Sequence, residues 1–253
     1  MRRFVHALPL ALLTASGTFV AFQVADTEPT RFSPGSEPTA TASGALGAWS
    51  SESGRAAGQP AQRVEELQSW PQRTYLTEIL VARDSALMRW PDRSAEPIRV
   101  WVQEEPGLDG FDPAYAAVVR QAFSEWEDAL LPLSFEFVED AAAAELRVVW
   151  VDRFQDAISG RTFWSSDDQG WMLSADIYLA LTHSSGEKIR GAALRAIALH
   201  EIGHALGLDH TADTTSVMAT PVRTSHLAEV DRATATRLYE LLPGKPNPPR
   251  TSR

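Results

Sequence analysis

HEIGHALGLDH, residues 200–210, is the stretch on which the reading of this chain turns. Residues four apart on an α-helix share one face, so His200 and His204 can direct two imidazole nitrogens at a single ion. Glu201 lies beside them in sequence but off the line of the two ligands, where its carboxylate can address a water on that ion as a general base. Gly207 has no Cβ, so a left-handed backbone costs it little. It can end the helix and return the chain so that His210 reaches the same ion. Three neutral nitrogens suit Zn2+ and leave a fourth position open, as a catalytic ion requires. An ordinary amphipathic helix with buried histidines is the plainer alternative, but half of the chain's six histidines fall within these eleven residues.

Working outward, the segment closes a helical pattern that opens at Ser184 with Glu187 three residues on, the spacing of a capping box, and runs to about Leu206. Upstream, residues 97–103 (PIRVWVQ) alternate as a strand. Residues 113–131 have helical spacing with Pro113 in the first turn, and 133–138 (LSFEFV) and 145–151 (ELRVVWV) read as strands, the latter apolar enough to be central. Residues 171–181 (WMLSADIYLAL) give a fourth strand, and 227–242 a last helix. This order predicts an α/β (α+β) domain, a twisted mixed sheet over the active-site helix with a further C-terminal helix.

The flanks differ in kind. Residues 1–25 begin with Arg2 and Arg3 before an apolar run, the order of an export signal, and the run resumes far enough to serve either as a cleaved signal peptide or as an uncleaved membrane anchor. Residues 26–62 are rich in Ser, Thr, Ala, Gly and Pro and read as a flexible linker. Residues 63–88 carry scattered apolar side chains and fit a short helix or a pro-segment lying on the domain. The catalytic domain is expected over 89–242, and the Pro-rich 243–253 as a disordered tail. A net charge of −10 without any concentrated basic cluster argues against a nucleic-acid partner. The absence of cysteine rules out disulfides, thiolate ligands and a cysteine nucleophile, so any metal must be held by His and carboxylates.

HExxHxxGxxH followed by a methionine turn, here SVMAT with Met218 eight residues after His210, is the metzincin signature. Within that clan the chain resembles the matrixins: HEIGHALGLDH, Pro221 after the methionine, residues 226–239 (HLAEVDRATATRLY) and residues 89–102 (RWPDRSAEPIRVWV) are similar to their corresponding segments. The resemblance implies a zinc metallopeptidase with ligands His200, His204 and His210, base Glu201, an apolar floor at Met218, and a pocket wall near residues 219–224. It also implies that an extended protein or peptide substrate aligns along an edge strand, for which 171–181 is the candidate. His183 and His226 are too few for the second, structural zinc of animal matrixins, and the cysteine of their latency switch is missing. Calcium is a second candidate ion, with oxygen ligands from Asp152, Asp156, Asp167, Asp168 and Asp176; solvated acids are the alternative. Asp209 is expected to be a loop residue. Against the endopeptidase reading stands a catalytically silent zinc-containing binding or scaffold protein of the cell envelope. Substrate-binding residues and oligomeric state are not legible in the sequence.

Overall fold

The computed structural model describes residues 73–244 together with Thr30 and Arg31. The expected export segment, nearly all of the linker, the start of the 63–88 segment and most of the tail lie outside the described residues.

The five longer strands of a six-stranded sheet run in the order β3 (Leu133–Phe137), β2 (Arg93–Val102), β4 (Leu146–Val151), β6 (Met172–Ala180), β5 (Gly160–Ser166). The first three pairings are parallel and β5 joins β6 antiparallel. Beyond β5, the two-residue β1 (Thr30–Arg31) pairs in parallel, Thr30 with Phe163 and Arg31 with Trp164. Central β4 is the apolar strand, with Leu146, Val148 and Trp150 facing inward. Helices α2 (Ala114–Glu127) and α3 (Ala192–Ala205) pack against the sheet, and the Trp126 indole donates to Leu199 O across their interface at 3.0 Å. From Ala193 to Ala205 every residue of α3 except Arg195 is buried, as expected of a helix apolar on nearly all sides.

Three readings need correction. First, α3 starts at Ala192, not Ser184. Residues 182–189 fold back as an extension of β6 instead, with Thr182 bridging Lys188, His183 N–H donating to Glu187 O at 2.8 Å, and Ile189 N–H to Leu181 O at 2.9 Å. Burying Ile189 there outweighs the local capping signal. Second, residues 171–181 do not form the edge; β6 lies between β4 and β5. Third, a further strand, β5, lies between β6 and β1; its inward positions are Gly160, Thr162 and Trp164, which show no apolar alternation.

The helical option for residues 63–88 is realised in α1 (Leu76–Ala82), packed on α4 (Glu229–Glu240). Leu76 and Ile79 are fully buried, Tyr75 N–H donates to Thr234 Oγ1 at 3.1 Å, and the Tyr75 hydroxyl donates to Asp231 at 3.3 Å. The first tail residues are tied to the same unit, Gly244 N–H donating to Leu87 O at 2.7 Å.

Candidate metal centre

The last two turns of α3 carry His200, Glu201 and His204, all buried. The helix then closes on Gly207 at φ +102°, with Gly207 N–H to His204 O and Leu208 N–H to Gly203 O, both 3.0 Å, a Schellman closure. A Cβ at Gly207 would stand 2.1 Å from Met88 O, so both conformation and space require glycine. The reversed chain brings His210 back, and His204 Nε2 lies 3.1 Å from His200 Nε2 and 3.2 Å from His210 Nε2.

Two of these rings are fixed from behind. His200 Nδ1 lies 2.8 Å from Val217 O and His204 Nδ1 3.1 Å from Leu208 O. A carbonyl can only accept, so each Nδ1 carries the proton and each Nε2 turns a lone pair inward. Three nitrogens sharing one tetrahedral zinc would stand roughly 3.3 Å apart, close to the spacing seen. Among the described residues this is the only group of three or more His, Cys, Asp or Glu side chains placed to share an ion. Burial pushes the His200 imidazole down to about 3, with His210 adding to the effect, and holds His204 well below the usual range for the same first reason. Both rings are therefore neutral, the form a metal needs.

Glu201 is held by β5. Its Oε2 accepts from the Thr162 hydroxyl at 2.7 Å, and its backbone oxygen lies 3.0 Å from the same hydroxyl. A Cβ on Gly160 would fall 2.3 Å from Glu201 Oε1, so the carboxylate fills the space that glycine leaves. Burial raises the carboxyl to about 8, with the Thr162 bond pulling the other way; a cation beside it would favour the ionised form.

Under the helix lies Met218, fully buried, whose sulfur would be 2.4 Å from any Cβ at position 203. Gly203 thus exists for the methionine beneath it, and a glycine inside an apolar helix was the available signal. Asp231, buried on α4, secures the turn: it accepts from Val217 N–H at 3.0 Å, Ala228 N–H at 2.9 Å and the Ser216 hydroxyl, and Val217 O in turn holds His200. Pro221 follows a cis Thr220–Pro221 bond in the segment after the methionine.

The other acids and histidines do not join the centre. Asp152 pairs with Arg153, Asp156 with Arg161 and Asp176 with Arg147, while Asp167 accepts from Gln169 and Trp171 N–H in its own turn. His183 meets Ser159, and His226 meets Thr224. Asp209, expected as a loop residue, is buried against Arg83. Nothing in the local sequence announces that pair, since its partners are 126 positions apart.

The sequence model of the Matrixin family (peptidase M10) matches residues 107–240, more than half of the chain. The chain belongs to the matrixin family. It is 39% identical to human matrix metalloproteinase-19 over 111 residues, 41% of this chain and 21% of that protein. Against metalloendoproteinase 1-MMP of Arabidopsis thaliana it is 29% identical over 115 residues, 42% of this chain and 31% of the relative. Metalloendoproteinase 1 of Glycine max is 26% identical over 159 residues, 55% of this chain and 49% of the relative. The chain therefore spans between about a fifth and a half of the length of these curated relatives. Among the described residues no helix is long and apolar enough to cross a membrane.

Proposed function

We propose that this matrixin is an exported zinc-dependent endopeptidase. The observation that carries the reading is the convergence of three imidazole Nε2 atoms, two of them oriented through Nδ1–H bonds to backbone carbonyls, beside a carboxylate that is not among the ligands. Zinc held by His200, His204 and His210 supplies a Lewis acid for the scissile carbonyl and lowers the pKa of the attacking water. Glu201, steadied by Thr162, accepts the proton of that water and passes it to the leaving amine. Met218 closes the floor of the site and keeps water out from below.

An extended peptide is the substrate class that fits. The outer side of β5, where the two-residue β1 already pairs in parallel with Phe163 and Trp164, is where an extended chain can hydrogen-bond as a strand, on the same strand whose inner face steadies Glu201. The segment 219–224, with Ala219 and Val222 buried and Pro221 between them, walls the adjoining pocket in this reading. Calcium is not needed for the reaction proposed.

Two neighbouring substitutions separate the roles. Glu201→Ala removes proton transfer and leaves the imidazoles, so cleavage of casein falls by about 10²–10⁴ in kcat while zinc stays bound. His204→Ala removes a ligand, so zinc content and activity fall together, with loss of stability because bound metal stabilises the folded state. Full cleavage by Glu201→Ala would refute the base assignment. Wild-type protein that binds zinc and cleaves nothing in a broad peptide library would be a binding protein instead.

A further inference from the structure

Arg83 lies just past α1, outside the stretch that matches the matrixin family, and its guanidinium, stacked beside the Trp164 ring, gives three hydrogen bonds to the loop between the second and third histidines. Nε donates to Asp209 Oδ2 at 2.8 Å, one terminal nitrogen to Gly207 O at 3.2 Å and the other to Leu208 O at 3.1 Å. Only 8% of the Arg83 side chain and 4% of the Asp209 side chain are exposed, so these bonds form away from water. Each contact has a second link. Leu208 O is the acceptor that fixes His204 Nδ1, and Asp209 Oδ1 accepts the His210 N–H at 2.8 Å. A single planar cation therefore stands one residue behind two of the three putting nitrogens on the ion. On the far side of His210, Glu78 of α1 accepts from Ala212 N–H at 2.9 Å, so the helix grips the loop before and after the ligand.

We infer that Arg83 is a positioning residue of the metal centre, and that the stretch from residue 73 to 88 belongs to the catalytic unit rather than to a removable pro-segment. The inference rests on the reading that the three histidines hold zinc. Docking of α1 does not itself require Arg83, because Tyr75, Leu76, Ile79 and Leu80 are buried and Tyr75 makes two bonds of its own to α4. What Arg83 adds is orientation of the loop, for which a fork of donors in one plane is suited and a lysine ammonium is not.

The test uses the full chain in wild-type form and as Arg83→Met, Arg83→Lys and Ile79→Val. Three quantities are read: zinc dissociation constant by competition with a chromophoric chelator, the visible spectrum with cobalt(II) in place of zinc, and melting of the metal-free protein. Arg83→Met should weaken zinc binding about 10–100-fold and change the cobalt spectrum, as loss of an outer-shell partner does. Arg83→Lys can keep an ion pair with Asp209 but not all three bonds, and should fall between; it carries the test if Arg83→Met does not fold. Ile79→Val loosens the packing of α1 without touching the loop, so it should lower the melting temperature and leave zinc affinity and spectrum unchanged. Wild-type zinc affinity and cobalt spectrum in both Arg83 variants would overturn the positioning role while leaving the metal centre intact. A wild-type protein that binds no zinc would overturn the metal centre and this inference with it.

Discussion

The candidate metal centre and the carboxylate beside it are assembled from two regions that contrast sharply, the end of α3 with its return loop and the strand β5. In the first, four of the groups that matter, His200, Glu201, His204 and Gly207, are placed by the pitch of one helix and the way it ends, so their geometry is fixed over at most seven positions. In the second, Gly160 and Thr162 act on Glu201 from about forty positions away, and only the pairing of β5 on β6 brings them there. Chemistry that depends on helical spacing is local; chemistry that depends on strand pairing is not. The three histidines come from one region and the support of Glu201, the proposed base, from the other, so on that proposal substitutions in β5 should injure the base and spare metal binding.

Gly160→Ala gives the largest effect of that kind. Its Cβ would stand 2.6 Å from Glu201 Cγ and 2.7 Å from Cδ, and the buried carboxylate must move aside. Misplacing a catalytic group by about 1 Å can cost on the order of 10² in rate, so kcat should fall by about that factor with KM and zinc content unchanged. Loss of zinc in this variant would show that the two regions are not separable.

The next effect is one of pH on the protein stripped of metal. Unfolded histidines bind protons near their ordinary pKa, whereas buried His200 does so only at about 3 and His204 also far below it; this makes stability rise with pH up to about 6.5. Glu201 works the other way. Its folded value of about 8 lies above the unfolded one, so the native state holds a proton the unfolded chain has lost, and stability falls as pH rises. Above 6.5 the histidine effect fades as the unfolded imidazoles lose their last protons, and the second effect dominates among these three groups. Denaturant unfolding should therefore show a net loss of about 1 kcal/mol between pH 6.5 and 8. With zinc bound the slope should flatten, since the cation favours the carboxylate. A stability that climbs over that interval in the metal-free protein would contradict the burial assigned to Glu201.

The same contrast explains what the sequence could disclose. Helices α2 and α4 and strands β3, β4 and β6 lie close to where periodicity puts them, and His200, His204 and His210 come together as their spacing requires. β5 shows no apolar alternation because its inward row of Gly, Thr and Trp meets the Glu201 carboxylate and the Arg83 guanidinium rather than a uniform apolar layer; the Arg83 guanidinium lies 5.7 Å from the Trp164 ring. Asp209 looked like loop for a similar reason, its partner being far away in sequence. α3 starts at Ala192 rather than Ser184 because a good local capping pair loses to the burial of Ile189.

Thr162→Val tests β5 more gently than Gly160→Ala. The shape is nearly kept and one hydroxyl is lost from Glu201 Oε2. A hydrogen bond to a charged group contributes roughly 1.5–3 kcal/mol and a neutral one about 1, so kcat should drop about tenfold. KM and zinc content should not change, and Thr162→Ser should recover the rate. Equal loss in the serine variant would mean that the methyl group, and therefore packing, is what matters.

On the opposite face of the same sheet, Asp176 gives the smallest expected effect. It faces Arg147 across the β4–β6 pairing, and the two make a bidentate ion pair at 2.6 and 2.8 Å. With the Arg147 side chain 49% exposed and that of Asp176 29%, water and salt screen much of the attraction. The pair also points away from α3, whose contacts with β6 run through the inward Ile177 and its neighbours. Asp176→Asn should therefore cost about 0.2–1 kcal/mol of stability, less at high salt, and leave kcat, KM and zinc affinity untouched. Calcium sharpens the measurement: if this carboxylate only pairs with Arg147, adding calcium should shift the melting of wild type and Asp176→Asn equally. A calcium-dependent stabilisation present in wild type and absent from the variant would instead make Asp176 a ligand, and would place an ion on the outer face of the sheet.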